Sequence, residues 1–112
     1  MESLCELKEV FKTIFVFDNM LQQEFDLSLN ECLLVCALAK EKRSSGEISR
    51  ELGLSPSRVS RILGKLEKKK LIGRSIAQDD KRKMIFSLTR EGEKKVDQLH
   101  SSPLQVPVIK LG

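Results

Sequence analysis

Residues 55–70, SPSRVSRILGKLEKKK, constrain the fold more than any other stretch. Ser55 is a good helix N-cap, and Pro56 suits the first helical position, where a missing N–H leaves nothing unpaired. Val59, Ile62, Leu63 and Leu66 recur at the spacing of one buried helical stripe. The opposite side carries Ser57, Arg58, Ser60, Arg61, Gly64, Lys65 and Lys68, with no acid and nothing bulky. Such a face fits an anionic groove, because small hydroxyls permit close approach while Arg and Lys reach base edges and phosphates. A solvated amphipathic helix would show the same stripe, so neighbouring segments must decide.

Glu47 to Leu66 reads as helix-turn-helix. Ser44 and Glu47 are spaced for a capping box, Ile48 and Leu52 point inward, and Gly53 supplies a left-handed turn residue plugged by Leu54. Upstream, Leu27 to Lys40 forms a helix with Ser28 and Glu31 as its capping box and Leu27 with Cys32 as a staple. Leu33, Leu34, Ala37 and Leu38 continue its buried side, and Lys42 to Gly46 reads as a polar connection. Downstream, Leu71 to Ile76 and Met84 to Leu88 are short strands around the charged loop Ala77 to Lys83. A hairpin placed there is a wing. Thr89 caps a last helix running to about His100.

Residues 3–25 form one long helix on which Leu4, Leu7, Phe11, Ile14, Leu21 and Phe25 follow a heptad-like spacing broken at Asp18. Val10, Phe15, Val16, Phe17 and Met20 add apolar surface on its other sides. Four of the five Phe residues lie here, more than one face of a 112-residue domain needs, so a second subunit is expected. Leu4, Leu7, Phe11, Ile14, Phe15, Phe17 and Leu21 are the candidate dimerisation residues.

Charge is divided along the chain. Residues 1–39 hold two basic and seven acidic groups, whereas 40–95 hold seventeen basic and eight acidic. A polyanion-binding centre behind an acidic start is the simplest reading. Nothing resembles a signal peptide or a bilayer-spanning run, so a cytoplasmic protein is expected. Cys32 and Cys36 sit in an apolar run and read as packing residues, and Cys5 lies near the start without metal-ligand partners. The lone histidine, His100, has no catalytic partner by spacing, so neither an enzyme nor a metal or cofactor is expected.

At this point LSLNECLLVCAL (27–38), GEISRELGLSPSRVSRILGKLEKKKLIGR (46–74) and DDKRKMIFSLTREG (79–92) resemble the MarR-type winged-helix transcriptional regulators. The most specific part is Asp80-Lys81-Arg82 followed by Leu88-Thr89-Arg90-Glu91-Gly92. The resemblance implies a mainly α fold with a small β-hairpin: a dimerisation helix at 3–25, a winged helix-turn-helix at 27–88 and a C-terminal helix at 89–100, while Pro103 and Pro107 make 101–112 an extended, non-helical tail. It also implies a recognition helix at Pro56–Lys69 with Ser55, Ser57, Arg58, Ser60, Arg61, Lys65 and Lys68 toward DNA. In the wing (Asp80, Lys81, Arg82, Lys83), Arg82 would enter the minor groove, its guanidinium oriented by Asp80.

The expected partners are double-stranded DNA and a second copy of the chain, and any small-molecule effector is of unknown chemistry. The expected activity is sequence-specific regulation of transcription, as a repressor that occludes a promoter. A winged helix used only for protein–protein contact is the alternative. Cysteine-based sensing through Cys5 is a further family trait, but the tyrosines that support such a thiolate are absent. The family usually has Gly where this chain has Lys70, so Lys70 either adopts a left-handed conformation or lets the helix run on toward Gly73. Relatives usually continue past the wing through two more helices, so the chain reads as a member shortened at the C-terminus. The apolar tail residues Leu104, Val106, Val108, Ile109 and Leu111 then either lie along the first helices, their own or the partner's, or form a frayed terminus.

Overall fold

A computed structural model describes residues 2–103. The element order is α1 (Glu2–Phe25), α2 (Leu29–Lys40), α3 (Ser45–Leu52), α4 (Pro56–Lys68), β1 (Ile72–Ile76), β2 (Met84–Leu88) and α5 (Arg90–Ser101). β1 and β2 pair antiparallel with Ile72 opposite Leu88 and Ile76 opposite Met84. This is a winged helix-turn-helix preceded by a long helix.

Local chemistry sets each boundary. Ser28 and Glu31 close a reciprocal capping box at the start of α2, and Ser44 and Glu47 do the same for α3. Leu27 precedes α2 instead of opening it, and both staple residues, Leu27 and Cys32, are buried. Gly53 ends α3 in the left-handed region at φ 68°. Lys70 takes the left-handed choice, φ 63°, so α4 stops and the chain turns into β1. A non-glycine residue there is strained by ~1 kcal/mol. The backbone N–H groups of Lys70 and Leu71 compensate by donating to the carbonyls of Glu67 and Leu66, at 2.9 and 3.0 Å.

One core holds α2 to α5 together. Leu34, Val35, Ile48, Val59 and Leu66 are fully buried, joined by Leu38, Leu63, Ile72, Phe86 and Val96. α1 joins through its C-terminal part only. Leu21 is 5% exposed, and Phe17 and Phe25 pack at the core's edge. Asp18, which interrupts the heptad spacing, accepts a hydrogen bond from the Leu29 N–H at 2.6 Å. It thereby caps α2 from outside, where the dipole favours an anion.

Three expectations change here. Leu33 is 45% exposed and does not continue the buried side of α2. Within the connection 41–44, Arg43 forms an isolated antiparallel bridge with Phe86, its N–H donating at 3.1 Å and its carbonyl accepting at 2.7 Å. The wing therefore has a third, one-residue edge, too short for any periodicity to reveal. Leu21 belongs to the chain's own core and Phe17 leans on it, so the outward stripe of α1 is Leu4, Leu7, Phe11 and Phe15, with Ile14 half-buried. The tail expectation for residues 104–111 lies outside the described residues.

Candidate nucleic-acid interface

α4 presents its polar side to solvent as the spacing requires. Val59, Ile62, Leu63 and Leu66 face inward, leaving Ser55, Ser57, Arg58, Ser60, Arg61, Lys65 and Lys68 exposed. Ser55 is occupied as the N-cap, its hydroxyl accepting from the Arg58 N–H at 3.3 Å with Ser57 Oγ 3.4 Å away. Arg58, Arg61, Lys65 and Lys68 form no ion pair among the described residues. The one acid of α4, Glu67, is engaged by Arg74 of β1 through a two-pronged pair. That contact holds the Glu67 carboxyl below its ordinary range, chiefly through the hydrogen bonds from Arg74. The Arg74 guanidinium also lies 5.4 Å from the centre of the Phe86 ring, its cross-strand neighbour. Arg74 thus neutralises the acid and ties α4 to the hairpin. Its strand position gave no hint of that role.

Lys69 behaves differently from its neighbours. Its Nζ lies 3.1 Å from Glu31 Oε2 and also donates to the Asp26 carbonyl. Glu31 is buried, so Lys69 is the counter-charge that lets α2 keep its capping acid inside. These contacts tie it to the fold.

The wing tip is a tight turn closed by Ala77 N–H to the Lys83 carbonyl at 2.9 Å and Lys83 N–H to the Asp80 carbonyl at 3.0 Å. Asp80 Oδ1 accepts from the backbone N–H of Arg82 at 2.9 Å. The expected Asp80–Arg82 partnership exists, but it runs through the Arg82 backbone, because an aspartate two residues ahead reaches that N–H most easily. The guanidinium is left exposed and unpaired among the described residues. Lys81 is exposed as well, whereas Lys83 reaches back to Glu47 at 3.5 Å. Lys83 therefore braces the wing against the start of α3.

The wing and α5 meet at Gly92. A Cβ there would stand 2.1 Å from the Leu71 carbonyl oxygen and 3.2 Å from a Leu88 methyl. Only glycine lets α5 approach the Leu71 carbonyl, which also accepts the Thr89 N–H at 3.0 Å. The glycine of the Thr-Arg-Glu-Gly run is thus a packing requirement of the hairpin's base.

A sequence profile of the MarR family matches residues 25–83, more than half of the chain. The chain belongs to the MarR family. Solved structures agree with that membership. The transcriptional regulator BldR from Sulfolobus solfataricus is 25% identical with a TM-score of 0.76, over 87% of this chain and 73% of its own. A MepR variant of S. aureus bound to an oligodeoxyribonucleotide is 25% identical with a TM-score of 0.70, over 90% and 75% of the two chains. A ZitR variant of Lactococcus lactis is 27% identical with a TM-score of 0.65, over 67% of this chain and 51% of its own. This chain therefore spans between half and three quarters of the length of these MarR-like structures. A comparison with curated proteins found no match. Among the described residues no helix is long and apolar enough to cross a membrane. No cluster of three metal-ligating side chains occurs there either.

Proposed function

We propose that this chain is a dimeric, sequence-specific regulator of transcription that binds double-stranded DNA and represses by occupying a promoter. The observation that supports this most is the pair of unpaired basic surfaces: the outward face of α4 and the wing tip with Lys81 and Arg82. In helices α2, α3 and α4, Glu31, Glu47, Glu51 and Glu67 are all engaged by other lysines and arginines. Membership of the MarR family and the likeness to an oligodeoxyribonucleotide-bound MepR favour the same ligand.

In this reading the N-terminal half of α4 enters a major groove, Arg58 and Arg61 read base edges, and Lys65 and Lys68 meet phosphates. Arg82 enters the neighbouring minor groove, where the narrow, electronegative walls favour a guanidinium. Two copies paired through α1 would present two recognition helices about one helical turn apart. RNA polymerase is then excluded by simple occupancy.

Footprinting of the purified protein on the DNA upstream of its own coding sequence tests this reading. A protected, two-fold symmetric site is expected. Arg82→Ala should weaken binding at that site by ~1–3 kcal/mol while the melting temperature stays unchanged. Binding no tighter to any duplex than to mixed-sequence DNA would overturn sequence-specific regulation.

A further inference from the structure

α1, α2 and α5 do not close on one another. Between them lies an apolar groove of about 270 Å3, walled by Phe17, Phe25, Leu33 and Leu99. Its lining residues carry no acid, lysine or arginine. Cys32 and Cys36 both line it, and both thiols are free. They stand four residues apart on α2, so they share one helical face. At that spacing Cβ atoms lie about 5–6 Å apart, beyond the roughly 3.5–4.5 Å that a disulfide takes. The pair is therefore kept from closing into a disulfide while α2 stays helical. One atom placed between the two sulfurs, by contrast, can bond to both.

We infer that Cys32 and Cys36 form a two-thiol site for a trivalent arsenical that carries one aryl group. Such arsenic is a soft centre of the kind that sulfur ligands select, and it takes two thiols while keeping its organic substituent. The step is an exchange without change of oxidation state. Two S–H bonds and two As–OH bonds break, two As–S bonds form, and the displaced hydroxyls leave with the thiol protons as water. The product is uncharged, as a groove without acid, lysine or arginine requires. The aryl ring accounts for the remaining space. An apolar cavity of about 150 Å3 already holds benzene. One of about 270 Å3 takes a ring together with its arsenic. Zinc suits the site less, because it takes a full tetrahedral set of ligands. Among the described residues no three His, Cys, Asp or Glu side chains cluster to supply one. Burial pushes the Cys32 thiol up to about 12 and raises Cys36 as well. Both keep their protons at neutral pH, which slows reagents that need a thiolate and leaves the exchange its protons to release.

The reduced full chain is titrated with phenylarsine oxide, which hydrates to the dihydroxy form in water, and followed by intact mass spectrometry and thermal melts. One arsenical per chain is expected, with loss of the two thiol hydrogens. It should survive excess 2-mercaptoethanol and leave on addition of 2,3-dimercaptopropanol. Because the folded groove is what binds, the melting temperature should rise. Cys36→Ser should weaken binding about a hundredfold and lose the thermal shift, since the second As–S bond forms within one molecule. Cys5→Ser should match the parent. Equal affinity in Cys36→Ser and parent, or a loss in Cys5→Ser, would overturn the pair. A fall in melting temperature would overturn it as well, by placing the site in the unfolded chain. If circular dichroism finds the helices of Cys36→Ser lost, Cys36→Ala, which suits an apolar wall, takes its place with the same outcomes. Inorganic arsenite has a hydroxyl in place of the ring and should bind about tenfold more weakly for want of the buried apolar area. Equal binding of the two would overturn the groove's part in the site.

Discussion

Gly92 and Glu47 show how much single residues hold at the edges of this fold. A methyl group at Gly92 would overlap the Leu71 carbonyl, a backbone atom that cannot swing aside. Gly92→Ala should therefore destabilise the protein by ~1–3 kcal/mol, read as a lower denaturation midpoint with an unchanged slope. Equal midpoints would mean that α5 shifts freely on the hairpin. Glu47 is a case of charge. The Ser44 N–H and hydroxyl both donate to its carboxylate, at 3.0 and 2.9 Å. Those bonds, the backbone one foremost, lower its pKa from 4.5 to about 2. Since the folded value is the lower one, the cap's contribution is complete above pH 4.5 and fades as pH falls through about 2. Acid titration followed by helical circular dichroism should show a loss in that window, and Glu47→Gln should flatten it. An identical titration of the two proteins would assign the acid sensitivity elsewhere.

Among elements, α4 divides its lysines between two tasks. Lys68 projects to solvent, while Lys69 turns inward to Glu31 and the end of α1. Two variants one residue apart should accordingly fail in different assays. Lys68→Ala should keep the parent's stability and lower the salt slope of DNA binding by about one unit. Lys69→Ala strips the counter-charge from a buried carboxylate and should lower stability by ~1–3 kcal/mol. Parallel thermal melts and DNA titrations over salt concentration distinguish the two, and matching profiles would refute the division. Wing and helix-turn-helix are likewise one unit. Arg43 pairs with Phe86, Arg74 joins β1 to α4, and Lys83 joins the hairpin to α3. The Arg82 backbone therefore inherits the rigidity of the core, while its side chain stays free for a ligand.

As a whole the molecule is elongated, 50 × 31 × 21 Å with a radius of gyration of 15.6 Å. A compact chain of this length would have about 13 Å. The excess comes from α1, which leaves Phe11 and Phe15 at 69% and 65% exposure. So large an apolar stripe on a monomer marks an interaction surface. Phe11→Asp should therefore convert the proposed dimer to monomer in light scattering over a dilution series, with the winged helix still folded. Retention of the parent's mass would place the dimer contact elsewhere. Loss of DNA affinity together with loss of the dimer is expected, since each half-site alone offers half of the phosphate contacts.

Sequence alone determined what depends on neighbours a few residues apart. Both capping boxes, the Gly53 turn, the inward stripe of α4, the existence of the hairpin and the Thr89 cap could be read from spacing, because each is a local hydrogen bond or a helical or strand period. Only tertiary structure decided which of the charged and apolar side chains in those periods were already taken. Lys69 and Lys83 looked as free as Lys65, yet partners 38 and 36 residues earlier in the chain hold them. Leu21 looked like Phe11, yet it packs into the core while Phe11 stands in solvent. Periodicity specifies which face of an element a residue lies on. What meets that face depends on long-range packing, which no local spacing encodes.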